Sequence, residues 1–586
     1  MPTHLITGPF PELWRGIEHE HLVLVDGHGL DGKPFLEGPR VEIAPVADIL
    51  MEDIEQDGPT IDGLCEVLLV DLAESLNRIH GVEESLRYWR MVLAPWIRET
   101  VTVAYLRYKT LRGTYRQYPG AVLAGDDVPA PPSPRDHFET AILYHTPELR
   151  VWLYRVLNRL ATGPETLPPA VTAEARRRGQ MPRESPVDPV VHPSRWRFAG
   201  LTVVGSNWTP MSRVQLHLAS RLLPRGRRRA RGLYRVAQRD DLRADLFVTP
   251  VATEIETLRR IVQALLPLCL LEGWPEYRGN TRSHRGQGRV LLTNSGLQRD
   301  IELRGRAARH QEAGQPVCVV QEGGGFGIKS IPFLEGLEGD LADVFVTWGA
   351  KSHPLGVVAG VGSVRGLPGR GSPSGAIVII LGPRTTAAKD FGVIGRLPTS
   401  TYLSDVVRFV EHLPTEQRAH VVLRGKGSLG AWGRKDRISL RDSGLAGLGV
   451  ALDENDEPVG EVIRRARLAV VTYNESLAPI LISRDLPTVM LWNRRYVAAS
   501  AAWQELSEIL ASAQMYFSDP VECARHVNEV ADDVMGWWQS PIVRAARRRY
   551  CDDYARPLRR PGFTVGRTLR HALAPIPTHA SAQRHG

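Results

Sequence analysis

The chain has 586 residues, 43% of them hydrophobic and 24% charged, an ordinary globular composition but too long for one core, so two or more domains are expected. A formal net charge of +8 is a mild excess over this length; it suits phosphorylated or anionic ligands, an anionic membrane surface or nucleic acid. Five scattered cysteines without a CxxC pair argue against a disulfide framework or a zinc site, and the absence of a signal-like N-terminus or of a run near the ~20 apolar residues that span a bilayer points to a cytoplasmic protein.

Apolar runs at 5–8 and 22–25 predict the first strands. A mostly helical insertion is expected over about 60–245. Within it Leu86, Trp89, Leu93 and Ile97 fall at helical spacing, which predicts an amphipathic helix buried by its tryptophans. Pro95 is expected to kink or end that helix. The Pro-rich stretch 126–135 and the stretch 162–185 read as loops. The basic run Arg225-Gly-Arg-Arg-Arg-Ala-Arg231 reads as a solvated loop, with an anionic lipid surface as its functional alternative. Nucleic acid is not an expected partner, since no aromatic RNA-binding block, zinc finger or Walker loop accompanies it.

Further strands are predicted at 246–251, 290–293, 317–320, 344–348 and 357–361. The strand at 317–320 runs into Cys318-Val-Val-Gln-Glu-Gly-Gly-Gly-Phe-Gly327, where an apolar run stops at two polar residues and three glycines. Glycine permits φ > 0 and close backbone approach, and in open α/β sheets ligands bind at the carboxyl ends of strands. The stretch 365–375, rich in Gly, Pro and Ser, reads as a linker. After it, strands at 376–381, 420–423, 468–472 and 488–492 alternate with helices at 399–413, 500–513 and 520–538. Continuous Val/Ile/Leu strands alternating with helices predict parallel sheets covered on both faces. The expected division is a first α/β lobe at 1–366, a linker at 367–375, a second α/β lobe at 376–545, and a basic, partly disordered tail at 546–586.

Within the glycine-rich loop Glu322 is the acid–base-capable group, a candidate general base; the alternative is a side chain that only bonds the turn. Gln321, Gly323, Gly324 and Gly325 are candidate substrate contacts, the glycines by presenting backbone N–H groups. Glu335 and Glu338, with Asp343, form a carboxylate group that either contacts substrate or serves the fold. Lys329 and His353 follow the same loop. In the second half Tyr473, Asn474 and Ser476 end a strand before a helix, where a phosphate would meet free N–H groups; a helix cap is the alternative. Arg424, at the end of the strand 420–423, is a candidate phosphate clamp or one side of a salt bridge. No metal site is expected.

The block from Leu76 and Asn77 through His80, Gly81, Ser85, Arg87, Tyr88, Trp89, Arg90 and Leu93 to Pro95 and Trp96 resembles that of the transferases of bacterial O-antigen and surface-carbohydrate biosynthesis. Leu292–Ser295 with the Gln321–Gly327 loop, Glu335–Glu338 with Asp343 and 347–349, and Tyr473-Asn474, Pro487-Thr488, Asn528, Trp537-Trp538 and Tyr550-Cys551 fit the same pattern. The resemblance implies a GT-B-like α/β fold, distantly similar to CDP-glycerol-type transferases, with two Rossmann-like lobes facing across a cleft. It implies a glycosyltransferase-like transferase that moves a sugar or related unit from a nucleotide-linked sugar or alcohol donor to a glycan or lipid-linked acceptor. The donor would bind the second lobe and the acceptor the first, with no cofactor, at the inner face of the membrane. Where that family carries His, this chain has Glu322; where it carries Tyr, Phe326. Glu475, Ser476 and Ile480 replace its Ser-Thr and Glu, and the acidic and Tyr positions after Arg424 are lost within 425–430. The alternative is therefore a catalytically altered relative that binds a ligand or partner.

Overall fold

The computed structural model describes the chain except for residues 1, 8–15, 18–19, 26–40, 126–127, 164–199, 205–209, 221–222, 228–233, 235, 250, 283–289, 295, 322, 333, 362–371, 373, 383–398, 426–444, 446, 454–457, 495–497, 559 and 574–586. Within these described residues the strands form three sheets, and every pairing within a sheet is parallel. The first sheet is small. It holds β1 (Thr3–Ile6), β2 (His21–Leu24), β3 (Val41–Ile43) and β4 (Val122–Leu123) in the order β3-β2-β1-β4.

The second sheet contains β5 (Gly200–Val204), β6 (Leu223–Arg227), β7 (Val290–Thr293), β8 (Val317–Val320), β9 (Val344–Thr347) and β10 (Val357–Val358), ordered β10-β9-β8-β7-β5-β6. The third contains β11 (Ala376–Ile380), β12 (Val421–Arg424), β13 (Ala451–Asp453), β14 (Ala466–Val471), β15 (Thr488–Leu491) and β16 (Tyr516–Phe517), ordered β13-β12-β11-β14-β15-β16. Counted along the chain, the third sheet has the Rossmann order 3-2-1-4-5-6 and the second the related order 2-1-3-4-5-6. The fold is thus α/β with two Rossmann-like lobes. All four residues of β7, β8, β9 and β15 are buried, as strands covered on both faces require.

Several elements differ from the sequence-based expectation. The stretch 60–245, expected to be mostly helical, contributes β5 and β6 to the second sheet and β4 to the first, and β1–β4 form a sheet separate from the six-stranded ones. None of the described residues of the apolar run 246–251 is in a strand; Leu246 instead packs into the first core. Pro95 does not end its helix, which continues through it over Leu86–Gln117. Proline leaves the Met91 carbonyl without its helical donor, but Trp89, Leu93, Trp96 and Ile97 are wholly buried around that turn and hold it. The tail, expected to be disordered only at its end, carries two helices: Pro541–Tyr554 packs on the second lobe, and Pro561–Ala572 returns to the first. The linker residues 367–371 and the terminus 578–586 lie outside the described residues, as do 228–231 of the basic run.

The block at 76–96 builds a helical hairpin. Helix Ile54–His80 stops at Gly81 (φ +59°), and Ser85 caps the next helix by accepting from the Tyr88 N–H at 3.0 Å. Asn77 holds the turn from both sides: it donates to the Glu84 carbonyl (2.9 Å) and accepts from the Glu84 N–H (3.2 Å) and the Trp89 indole (2.8 Å). His80 stacks on Trp274 at 4.6 Å and bonds the Leu270 carbonyl. Asn77, His80, Gly81, Ser85 and Trp89 of the block therefore have structural roles.

His526 gives the second lobe a pH dependence. Its ring is buried between Phe517 (5.3 Å) and Trp537 (5.1 Å), and neither ring nitrogen has a hydrogen-bond partner. Burial pushes its imidazole down from 6.5 to about 4. Between those values the unfolded chain takes up a proton that the folded chain refuses, so stability falls as pH drops from 6.5 towards 4, by at most about 1.4 kcal/mol per pH unit for this group. The His526→Phe variant, whose ring needs no partner, is expected to melt with a shallower acid slope than wild type. Equal slopes in calorimetric scans from pH 7 to 4.5 would assign the effect elsewhere.

Candidate functional site

Two strand-end loops, one from each lobe, meet. The loop after β8 begins with Gln321, which is buried and fixed at every polar group. Its Nε2 donates to the Gly323 carbonyl (2.8 Å), its Oε1 accepts from the Trp348 N–H (2.8 Å), and its own carbonyl accepts from the Trp348 indole (2.8 Å). The glycines then press against the loop that follows β14. A Cβ on Gly324 would lie 2.5 Å from the Glu475 carbonyl oxygen, one on Gly325 (φ +86°) 3.2 Å from that of Asn474, and one on Gly323 3.3 Å from Ser476 Oγ. The close approach these glycines permit is therefore to the other lobe's backbone. Ser476 Oγ accepts from the Gly324 N–H at 3.1 Å, so a hydrogen bond joins the lobes at that point.

The seam continues along the chain. Lys329 bridges Ala499 in antiparallel fashion, the Ser330 N–H donates to the Ala498 carbonyl (2.8 Å), and the Ser500 N–H to the Ile328 carbonyl (2.8 Å). Ser500 Oγ and Tyr554 Oη both donate to the Gly327 carbonyl, at 2.6 and 3.4 Å. The Ala350 and Lys351 N–H groups donate to the Asp552 and Asp553 carbonyls.

In the third sheet the strand order reverses between β11 and β14, so the residues after β14 stand at the topological switch point, where ligands bind open α/β sheets. Tyr473 and Asn474 are there, both buried. Burial, then the Glu475 charge, raises the Tyr473 hydroxyl above its usual range, so it stays a neutral donor. Asn474 Nδ2 is buried without a hydrogen-bond partner, a costly state for an amide donor. Ser476 precedes helix Leu477–Ser483 but its side chain does not cap it. Arg424 is not brought to this loop. It ends β12, two strands from β14 and thus about 10 Å along the sheet, and is paired with Asp453 at the end of β13.

In the first lobe Glu338 is buried and accepts from Gln298 Nε2 at 2.9 Å. Glu335 lies on the same helix, Leu334–Leu341, and its side chain is not described. Asp343 pairs with Arg87 (3.0 Å) and accepts from the Val317 N–H (2.8 Å), a structural role. His353 lies against Gly339, with its Nδ1 accepting from the Leu355 N–H. Glu322, the candidate base, falls outside the described residues. Among the described residues no three His, Cys, Asp or Glu side chains are grouped to hold a metal ion, and no helix is long and apolar enough to cross a membrane.

One charged array was not foreseen. Glu99, on helix Leu86–Gln117, accepts from His137 Nε2 (2.8 Å) and from Arg299 Nη2 (3.0 Å), while Arg304 Nη1 donates to His137 Nδ1 (2.8 Å). With Nδ1 accepting, the proton of the neutral imidazole is on Nε2, facing the carboxylate. Burial, then the Arg304 charge, pushes His137 down to about 4. Burial opposes ionisation of Glu99, but the Arg299 charge and the bonds from His137 and Arg299 hold its carboxyl well below the usual range. The four residues come from three helices and the turn after β7, and the hydrogen bonds that join them span 38 to 200 positions, so no local motif marks them.

A family model described as LIC12162 family transferase matches residues 3–159 and 202–563. None of the curated proteins matches. Among solved structures, the spinosyn rhamnosyltransferase SpnG complexed with spinosyn aglycone overlaps 64% of this chain and 99% of its own, at 15% identity and a TM-score of 0.29. On the family match, which spans both six-stranded sheets and the seam between them, the chain belongs to the LIC12162 family of transferases.

Proposed function

We propose that this transferase moves a sugar or related unit from a nucleotide-activated donor to a glycan or lipid-linked acceptor of surface-polysaccharide assembly. The donor would bind the second lobe at Tyr473, Asn474 and Ser476, with Arg424 further along the same edge. The acceptor would bind the first lobe at Gln321, Gly323–Gly325, Glu335 and Glu338. Glu322 would take the proton from the acceptor hydroxyl, and no cofactor takes part. The two lobes would be divided at the linker 367–375, and the protein would work at the inner, anionic face of the membrane. The observation that carries this reading is the meeting of the two loops, with the buried Asn474 amide still lacking an acceptor at the second lobe's switch point. A phosphoryl or sugar oxygen would satisfy it.

The test is calorimetric titration with CMP-, CDP-, GDP- and UDP-linked compounds, then donor consumption with wild type and Glu322→Gln. The expected outcome is saturable binding of one donor class by both proteins and a loss of roughly 10²-fold or more in kcat for Glu322→Gln, the usual scale of a lost general base. Equal turnover would remove Glu322 from the chemistry. Binding without turnover in wild type would favour a ligand-binding relative, the reading to which Glu322, standing where the resembling transferases carry His, gives its support.

A further inference from the structure

The second sheet has a switch point of its own, between β5 and β7, and the residues that follow β7 build a fixed cation there. Helix Gly296–Arg299 follows the strand closely, and Gly296 stands where a β-carbon would overlap the Thr293 hydroxyl. Arg299 ends this turn. Its side chain is 27% exposed, whereas Glu99 is 1% exposed and His137 and Arg304 are wholly buried. The array thus runs from the interior to solvent and surfaces at the Arg299 guanidinium.

Its construction exceeds what tying two helices together requires. Arg304 also donates to the Leu297 and Gln298 carbonyls (3.3 and 3.0 Å), fixing the turn that carries Arg299. Through His137 it fixes the far oxygen of Glu99, so the near oxygen meets Arg299 in one orientation. Burying such a set costs desolvation that is seldom recovered as stability; a guanidinium held rigid at a ligand edge is a use that offsets it. Asp300, next to Arg299, accepts from the Leu303 N–H (2.9 Å), and Glu338 Oε2 accepts from Gln298. We propose that Arg299, clamped by Glu99, His137 and Arg304 at the first lobe's switch point, binds the phosphoryl group of a substrate. A guanidinium fork matches phosphoryl oxygens bidentately. The proposal rests on the transferase reading only in calling that ligand a substrate.

The probe is inorganic pyrophosphate, titrated calorimetrically into the full chain as wild type, Arg299→Gln, Arg299→Lys and Ser476→Ala. Wild type is expected to bind it saturably. Arg299→Gln should weaken binding by roughly tenfold or more, the scale of a lost charge-assisted hydrogen bond, and Arg299→Lys by less, since it keeps the charge but not the fork. Ser476→Ala, in the other lobe, should retain the Arg299-dependent part. Circular dichroism melts certify folding; if Arg299→Gln melts early, Arg299→Lys, which keeps a cation for Glu99, decides. Unchanged affinity in a folded Arg299 variant, or no pyrophosphate binding by wild type, overturns the proposal. Titrating a nucleoside diphosphate and a short polyprenyl phosphate then separates the sources. The ligand whose affinity falls in the Arg299 variants owns the site, and a fall in neither overturns it. Arg299-dependent binding without turnover on any donor would remove the transferase reading and leave this site standing.

Discussion

Gly327→Ala is expected to cost about 3 kcal/mol or more and to open the seam between the lobes. Gly327 has φ +72°, the left-handed region in which a β-carbon is strained by roughly 1–2 kcal/mol. More is at stake than strain. An added Cβ would overlap the Lys351 carbonyl oxygen and lie 2.9 Å from its carbon and 3.2 Å from Ser352 Cα. These are backbone atoms, tied by the Lys351 N–H to the Asp553 carbonyl at 2.7 Å, so no side chain can swing aside. The Gly327 carbonyl also accepts from Ser500 and Tyr554, and displacing it strands both hydroxyls. Gly120→Ala is the control: φ is +80° there, but nothing lies within 4 Å of the added carbon, so strain alone is read, about 1 kcal/mol. Urea denaturation that finds the two variants equally stable would show that the seam yields to a methyl group.

Glu99→Ala is expected to cost about 3–5 kcal/mol, the range for removing one member of a buried ionic set. The loss would leave Arg299 and the His137 N–H facing each other without the carboxylate between them. Glu99→Gln, which still accepts at one oxygen, should lose less. The pH signature has a definite sign. Glu99 is ionised far below the range of an exposed carboxylate, so its contribution is complete above about 4.5 and is lost only as pH falls further. His137 acts in the same direction over 6.5 to 4, where the unfolded chain binds the proton first. Wild type should therefore lose stability on acidification, and Glu99→Ala should lose less of what remains. A Glu99→Ala protein within ~1 kcal/mol of wild type in urea titrations would mean that the array relaxes at little cost.

The parts of the fold legible in the sequence are those whose signal is local. β7, β8, β9, β11, β14 and β15 read as apolar runs because both faces are buried. The glycine-rich loop was legible because three glycines after such a run have few other uses. β6 was not, since Leu-Pro-Arg-Gly-Arg carries no strand preference; it is a strand at the sheet edge because β5 is beside it in register, Gly200 opposite Leu223. The run 246–251 failed the other way, as apolarity alone does not decide between a strand and a loop that packs. At the candidate site, Tyr473, Asn474 and Ser476 stood where a strand gives way to a helix, and the structure brings Asn474 and Ser476 against Gly323–Gly325. Arg424 looked equivalent by the same local rule, but strand order sets it two strands away. The Glu99 array was beyond such reading, because its hydrogen bonds span 38, 167 and 200 positions.

Helix Pro561–Ala572 crosses back to the first lobe, where Val565 and Leu569 share a core with Val290, Leu292, Cys318, Val320, Val344 and Val346, and Gly566 lets its backbone settle against Leu216 and Ala219. On the ribosome the second sheet is therefore complete in its strands some two hundred residues before the helix that covers its face has been made. For that interval a Val-rich surface waits uncovered, the kind of exposure on which nascent chains aggregate or recruit chaperones. The lobe translated first is finished last, so a stop codon or proteolytic cut ahead of or within 561–572 would damage the lobe furthest from it in sequence.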